Sequence, residues 1–160
     1  MKTGALEIST PSDREVLMTR SFDAPRALVW DAFTKPELLK RWFFGPDGWS
    51  LAVCEIDFKP GGAYRYVWKK GEHEMGMGGV FREVQAPERI VATEKFDQSW
   101  YPGEAVGTMR FVEDGPRTRF ENTIVYESKE ARDAVLKSGM ESGASQGYDR
   151  LAELLATLHR

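Results

Sequence analysis

The sequence predicts an α+β domain in which a curved antiparallel sheet of seven strands wraps around one long C-terminal helix. Three observations predict it. Alternating apolar residues run almost without break from Trp49 to Tyr126. Two proline-led helical patterns, at Pro25 and Pro36, interrupt the chain after a single early strand. A helical pattern from Ser128 to the C-terminus is the only remaining element long enough to cover the inner face of such a sheet, which cannot bury itself.

Residues 1–12 carry Gly4 and Pro11 and little periodicity, and are expected to be a loose lead-in to a single domain over 13–160. The alternation in "REVLMTRSFDA" predicts a strand over about 14–22. Pro25 suits the first residue of a helix, with Asp23 or Ala24 at the cap, and Val29 and Phe33 lie one turn apart behind it. "PELLKRWF" sets Leu38, Leu39 and Trp42 on one side of a second short helix. Six strands then follow with short, glycine-rich connections, as an antiparallel meander requires. Tyr64, Tyr66 and Trp68 share one face of their strand; Met75, Met77, Gly79 and Phe81 share a face of the next. "QSWYPGE" reads as a longer loop.

Ser128 is a good N-cap for the last helix, and Glu130 complements its N-terminus. At about 100° per residue, Met140, Ala144, Gly147, Leu151, Leu155 and Leu158 form one stripe, whereas Ala131 and Val135 fall on the opposite side. A straight helix cannot bury both against one sheet, so a break is expected near Ser138–Gly139. Gly143 and Gly147 then stand at the edge of the buried stripe and inside it. Glycines in a helix interior cost about 0.5–1 kcal/mol each relative to alanine. They leave room beneath the helix for a guest, or they let helix and sheet backbones approach closely. The first alternative requires a void and the second requires contact.

Bulk properties narrow the function. The chain has 160 residues and a formal charge of −3, with 22 basic residues balanced by 25 acidic ones, which speaks against nucleic-acid or anionic-membrane binding. The N-terminus lacks an apolar signal core, and no segment has the ~20 apolar residues of a membrane span. Cys54 is the only cysteine, so a reducing, cytoplasmic location is expected. No zinc-like Cys/His spacing, nucleophile elbow or phosphate-cradling loop occurs. The "GEHE" of Glu72, His73 and Glu74 lies in a hairpin turn, and the other histidine, His159, is at the C-terminus. Neither a metal nor a cofactor is expected.

The aromatic residues, 12% of the chain, combine with methionines on the faces expected to point inward. Trp30, Trp42, Tyr64, Tyr66, Trp68, Met75, Met77, Phe81, Met109, Phe111, Phe120, Met140, Ala144, Gly147 and Tyr148 are the candidate lining of an apolar ligand cavity, or else an ordinary core. Methionine adapts to varied apolar shapes and suits such a lining. Parity separates Tyr64 and Tyr66 from Arg65, and groups Asn122 with Phe120 and Ile124 in preference to Glu121. Tyr64, Tyr66 and Asn122 are therefore the candidate polar groups of the site. No acid–base residue is singled out, although a strand carboxylate with a raised pKa would be the feature to seek.

"FDAPRALVWDAFTKPELLKRWFFGPDGWS", "PGGAYRYVW", "VFREVQAPERIV" and "YESKEARDAVLKSGMESGASQGYDRLAELLA", in this order, resemble the SRPBCC superfamily. Within it they resemble the branch related to the C-terminal domain of the activator of heat-shock chaperone ATPase. The resemblance covers about residues 14–157 and implies the helix-grip fold of START domains and the birch-pollen allergen. It implies an internal cavity holding a small hydrophobic or aromatic ligand, in a carrier, sensor or sequestering protein. Alternatives it raises are a cyclase- or aromatase-like enzyme, with a polarising pair such as Tyr64 and Asn122, and a chaperone-interacting domain. Homodimers occur among such relatives. Relatives often carry a tryptophan after the glycine of the last helix; here Ala144 follows Gly143, so a large ring is missing from that place.

Overall fold

The structure is a computed structural model that describes residues 5–97 and 103–158. The expected 98–104 loop falls mostly outside the described residues, as does His159. The elements are β1 (Glu7–Ser9), β2 (Glu15–Phe22), α1 (Arg26–Thr34), α2 (Pro36–Leu39), β3 (Ser50–Ile56), β4 (Ala63–Lys70), β5 (His73–Gln85), β6 (Arg89–Phe96), β7 (Ala105–Asp114), β8 (Arg117–Val125), α3 (Lys129–Lys137) and α4 (Met140–Leu158).

The sheet has eight strands, not seven, in the order β1-β2-β8-β7-β6-β5-β4-β3, and every described pairing is antiparallel. The extra strand comes from the expected lead-in. Ile8 sits opposite Met18, and three residues suffice to cap the β2 edge. Such a short edge strand carries too little alternation to show in the sequence. The β3–β8 meander follows chain order in space, and β2 returns to pair with β8 along its whole length. Register shifts at Leu51/Val53 and Phe81/Glu83 mark bulges, which bend the sheet over the helices.

Pro25 is the N-cap of α1, one position outside the helix, and Pro36 opens α2. The α2 helix ends at Leu39, earlier than expected, but Trp42 and Phe43 still donate their N–H groups to Leu39 O at 3.1 and 2.7 Å. Trp42 is thereby turned inward, and its Nε1 donates to Ala32 O at 2.9 Å.

The C-terminal helix is broken where expected. α3 ends at Lys137, Gly139 has φ +85°, and α4 begins at Met140. Ser128 caps α3 by accepting the N–H of Ala131 at 3.0 Å, a bond worth about 1 kcal/mol. The break serves two cores. Ala131 and Val135 on α3 pack with Val16, Met18, Ala105, Ile124 and Tyr126. Tyr148, Leu151, Leu154 and Leu155 on α4 pack with a larger aromatic core that includes Phe22, Phe33, Trp42, Phe111 and Phe120. Leu158, expected in the buried stripe, is instead 38% exposed at the end of α4, whereas Leu154 and Leu155 are buried.

Two ionic tethers fix α4. The buried Arg20 of β2 pairs with Asp149 at 2.9 Å. Arg150 donates to Gly45 O at 2.6 Å and Asp47 Oδ1 at 3.1 Å, and lies over the Phe44 ring at 4.1 Å. These contacts hold the helix from both flanks just beyond its glycines.

Candidate functional site

Between the two cores the helix stands off the sheet. The gap is a cavity of about 380 Å³. Its roof is Val135, Ser138, Gly139, Met140, Gly143, Ala144, Gly147 and Tyr148, and its floor includes Met18, Trp68, Met75, Met77, Phe96, Asn122, Ile124 and Tyr126. Trp42, Phe43, Gly45, Pro46 and Trp49 close one end. Ser138, Gly139 and Pro46 are exposed as well as lining, so the cavity meets solvent between the α3–α4 break and the loop after α2. A deeper cavity of about 140 Å³ shares Trp42, Phe43, Met77, Glu94, Asn122 and Tyr148 with the first.

The glycines decide between void and contact. A Cβ built on Gly143 would meet nothing within 4 Å, and one on Gly147 would reach only Trp42, at 3.9 Å. Neither is a forced close approach. Ala144 also lines the cavity, so the small side chain after Gly143 borders open space.

The sequence-derived site residues divide by place. Trp42, Trp68, Met75, Met77, Asn122, Met140, Ala144, Gly147 and Tyr148 line the larger cavity. Tyr64, Tyr66, Phe81 and Met109 line the smaller one. Trp30, Phe111 and Phe120 line neither and are core residues. Their rings are consumed by one another and by Phe33: Trp30–Phe111 centroids are 5.2 Å apart and Phe33–Phe120 stack at 4.5 Å.

Polar groups around the space are few. Trp68 Nε1 donates to Phe43 O at 2.9 Å, so Trp68, like Trp42, has its polar edge occupied by backbone. Tyr64 donates its hydroxyl to Thr93 O at 2.6 Å. That bond spends the proton a Tyr64–Asn122 polarising pair would need. Asn122 faces inward as parity indicated, and its Oδ1 is buried with no hydrogen-bond partner among the described residues. The outward neighbour Glu121 accepts from Arg119 at 2.9 Å, and outward Arg65 pairs with Asp97. Cys54 is half-buried on β3, and burial pushes its thiol up, so it is a poor nucleophile.

The polar residue that sequence reasoning missed is Glu94 on β6. It lines both cavities, and burial raises its carboxyl to about 7. Burial, then the Glu94 charge, also raises the Tyr148 hydroxyl; burial first, then Cys54 and Glu94, raises Tyr66. A signal for Glu94 existed. Ile90, Ala92, Glu94 and Phe96 alternate on one face; Ile90 is buried, Ala92 packs on the core and Phe96 lines the cavity. No Lys, Arg or His lines either cavity among the described residues. Among the described residues, three His, Cys, Asp or Glu side chains nowhere gather as a metal site would need, and no helix is long and apolar enough to cross a membrane.

Comparisons with known proteins agree with this architecture. No curated protein matches the chain. A solved Rhodobacter sphaeroides structure is 29% identical over 96% of this chain and 99% of its own, with a TM-score of 0.90. A Nitrosomonas europaea structure is 25% identical over 92% and 97%, with a TM-score of 0.80. A Mycobacterium smegmatis structure, 23% identical over 97% and 99% with a TM-score of 0.85, shares the fold. The model of one family matches residues 23–156, which include both short helices, the meander and nearly all of α4. The chain belongs to the family described as Activator of Hsp90 ATPase homolog 1-like protein, an SRPBCC-type helix-grip branch.

Proposed function

We propose that this protein binds a small hydrophobic or aromatic molecule in the cavity between its sheet and its C-terminal helices, as a carrier, sensor or sequestering protein. The observation that carries the reading is the 380 Å³ space beneath Gly143, Ala144 and Gly147. It falls within the roughly 300–1,000 Å³ of ligand pockets and has their usual make-up, apolar and aromatic walls with a few polar groups. Among the described residues, the large exposed apolar side chains Val80, Val112, Leu136 and Leu158 sit on four different elements, which favours an internal site over a protein-docking face.

The test is a thermal-shift screen of apolar and aromatic compounds against wild type and Ala144→Trp. A ligand at about a hundred times its Kd stabilises by about 2.7 kcal/mol, a shift of several degrees. Wild type should respond. Ala144→Trp should fold, fill the space and lose the response. A silent wild type, together with a variant that unfolds from overpacking, contradicts the proposal.

One observation favours a second reading, a proton-transferring enzyme of the cyclase or aromatase kind. A half-buried carboxyl that desolvation poises near 7 can exchange protons with a bound substrate. On this reading Glu94→Gln abolishes turnover of a polyketide or enone while the compound still binds.

A further inference from the structure

We propose that the preferred guest is a cation: an amine-bearing aromatic molecule whose ammonium pairs with Glu94, whose rings lie against Trp42, Tyr66 and Tyr148, and which offers a second donor to Asn122 Oδ1. This rests on the cavity being a ligand site and names the chemical class it takes.

Charge is the first argument. Glu94 is the one carboxylic acid in either lining among the described residues, and no Lys, Arg or His accompanies it. A fatty acid or other carboxylate would set its charge against ionised Glu94 and offer no donor to Asn122 Oδ1. An ammonium supplies what both lack, because a carboxylate held away from bulk water without a partner is costly and pairing offsets that cost.

Geometry is the second. Glu94 pairs with Ala105, Asn122 pairs with Met109, and Gly107 lies midway between those two along β7. A Cβ on Gly107 would come within 3.6 Å of Asn122 Oδ1, so that oxygen leans over a floor without a side chain. The orphan acceptor and the carboxylate thus flank one bare patch of sheet.

The walls are the third argument. Trp42 and Tyr148 have centroids 6.0 Å apart, and Phe43 lies 5.3 Å from Tyr66. Trp42, Tyr66 and Tyr148 line the two cavities, and with its indole N–H bonded to Ala32 O, Trp42 offers the guest ring surface, which attracts cations.

The groups facing Glu94 are Tyr66 from β4 and Tyr148 from α4, with Cys54 of β3 behind Tyr66. All three are raised by burial and stay neutral through the working range. The facing residues from β5 and from the turn after α2, Met77, Trp42 and Phe43, carry no charge, nor does the β7 neighbour Ala105. Glu94 therefore sets the pH dependence alone.

The experiment is calorimetric titration with naphthylethylamine, naphthylethanol and naphthylacetate, between about pH 5 and about pH 8, on wild type and Glu94→Gln. The amine should bind more tightly than the alcohol, and the carboxylate least. Amine affinity should rise roughly tenfold per unit below the Glu94 pKa and level off above it. Glu94→Gln should flatten that profile and weaken the amine at least ~10-fold at high pH, while the alcohol changes less than ~3-fold. Equal binding of amine and alcohol, tightest binding of the carboxylate, or a pH profile that persists in Glu94→Gln overturns the cation and leaves the cavity reading standing. Binding of none of the three overturns both.

Discussion

On the proposed reading Glu94 is the residue on which the site's chemistry turns, and its energetics predict a measurable penalty. Its carboxyl titrates near 7 in the folded chain, above the ordinary 4.5. The folded state therefore holds the proton more tightly than the unfolded state. Its stabilising contribution is complete below about pH 4.5 and is lost as pH rises through about 7. Glu94→Gln should remove that loss and make the ligand-free protein more stable than wild type at about pH 8, by on the order of 3 kcal/mol. Melting curves of both proteins across this range check it, and parallel curves would contradict it. At this scale parity was a good guide where residue type agreed with it: Tyr64, Tyr66 and Asn122 all face inward. It failed to surface Glu94, because a strand carboxylate is by type an outward residue and only the apolar company of Ile90 and Phe96 on its face says otherwise. Trp30, Phe111 and Phe120 show the converse. An aromatic on an inner face can fill core or border a cavity, and only neighbouring rings decide which.

At the scale of elements, the last helix answers for its glycines in two ways. Gly139 is a hinge with φ +85°, a conformation that costs other residues roughly 1–2 kcal/mol. Gly143 is helical with open space beside it. Alanine at the two positions should therefore act in opposite directions. Gly139→Ala should destabilise by about 1–2 kcal/mol, and Gly143→Ala should stabilise by about 0.5–1 kcal/mol. Denaturant titrations measure both, and a loss of stability at Gly143 would mean that helix and sheet meet there after all. The break itself was legible, because Val135 and Leu151 cannot share a straight helix's buried side. The β1 strand and the two bulges were not. A three-residue edge strand has too few alternations to register, and a bulge shifts pairing without altering composition.

At the scale of the whole molecule, the cavity exists because two cores are built on one sheet and the helix over them bends between. The α3 cluster and the larger α4 cluster each pack closely, and Arg20–Asp149 and Arg150–Gly45 hold the roof where neither core fills the space. The order of elements conveyed the fold from sequence alone. It could not convey the gap, whose size depends on distances between side chains far apart in the chain. The methionines give the most direct test of whether that gap is a binding site. Met18, Met75, Met77 and Met140 line the larger cavity and Met109 the smaller. Methyl-labelled methionine spectra should be recorded while an aromatic amine is titrated in. Shifts at Met18, Met75, Met77 and Met140, with ligand-to-methyl NOEs that vanish in Ala144→Trp, are the predicted result. Saturable binding that leaves those four methyls unmoved would contradict it.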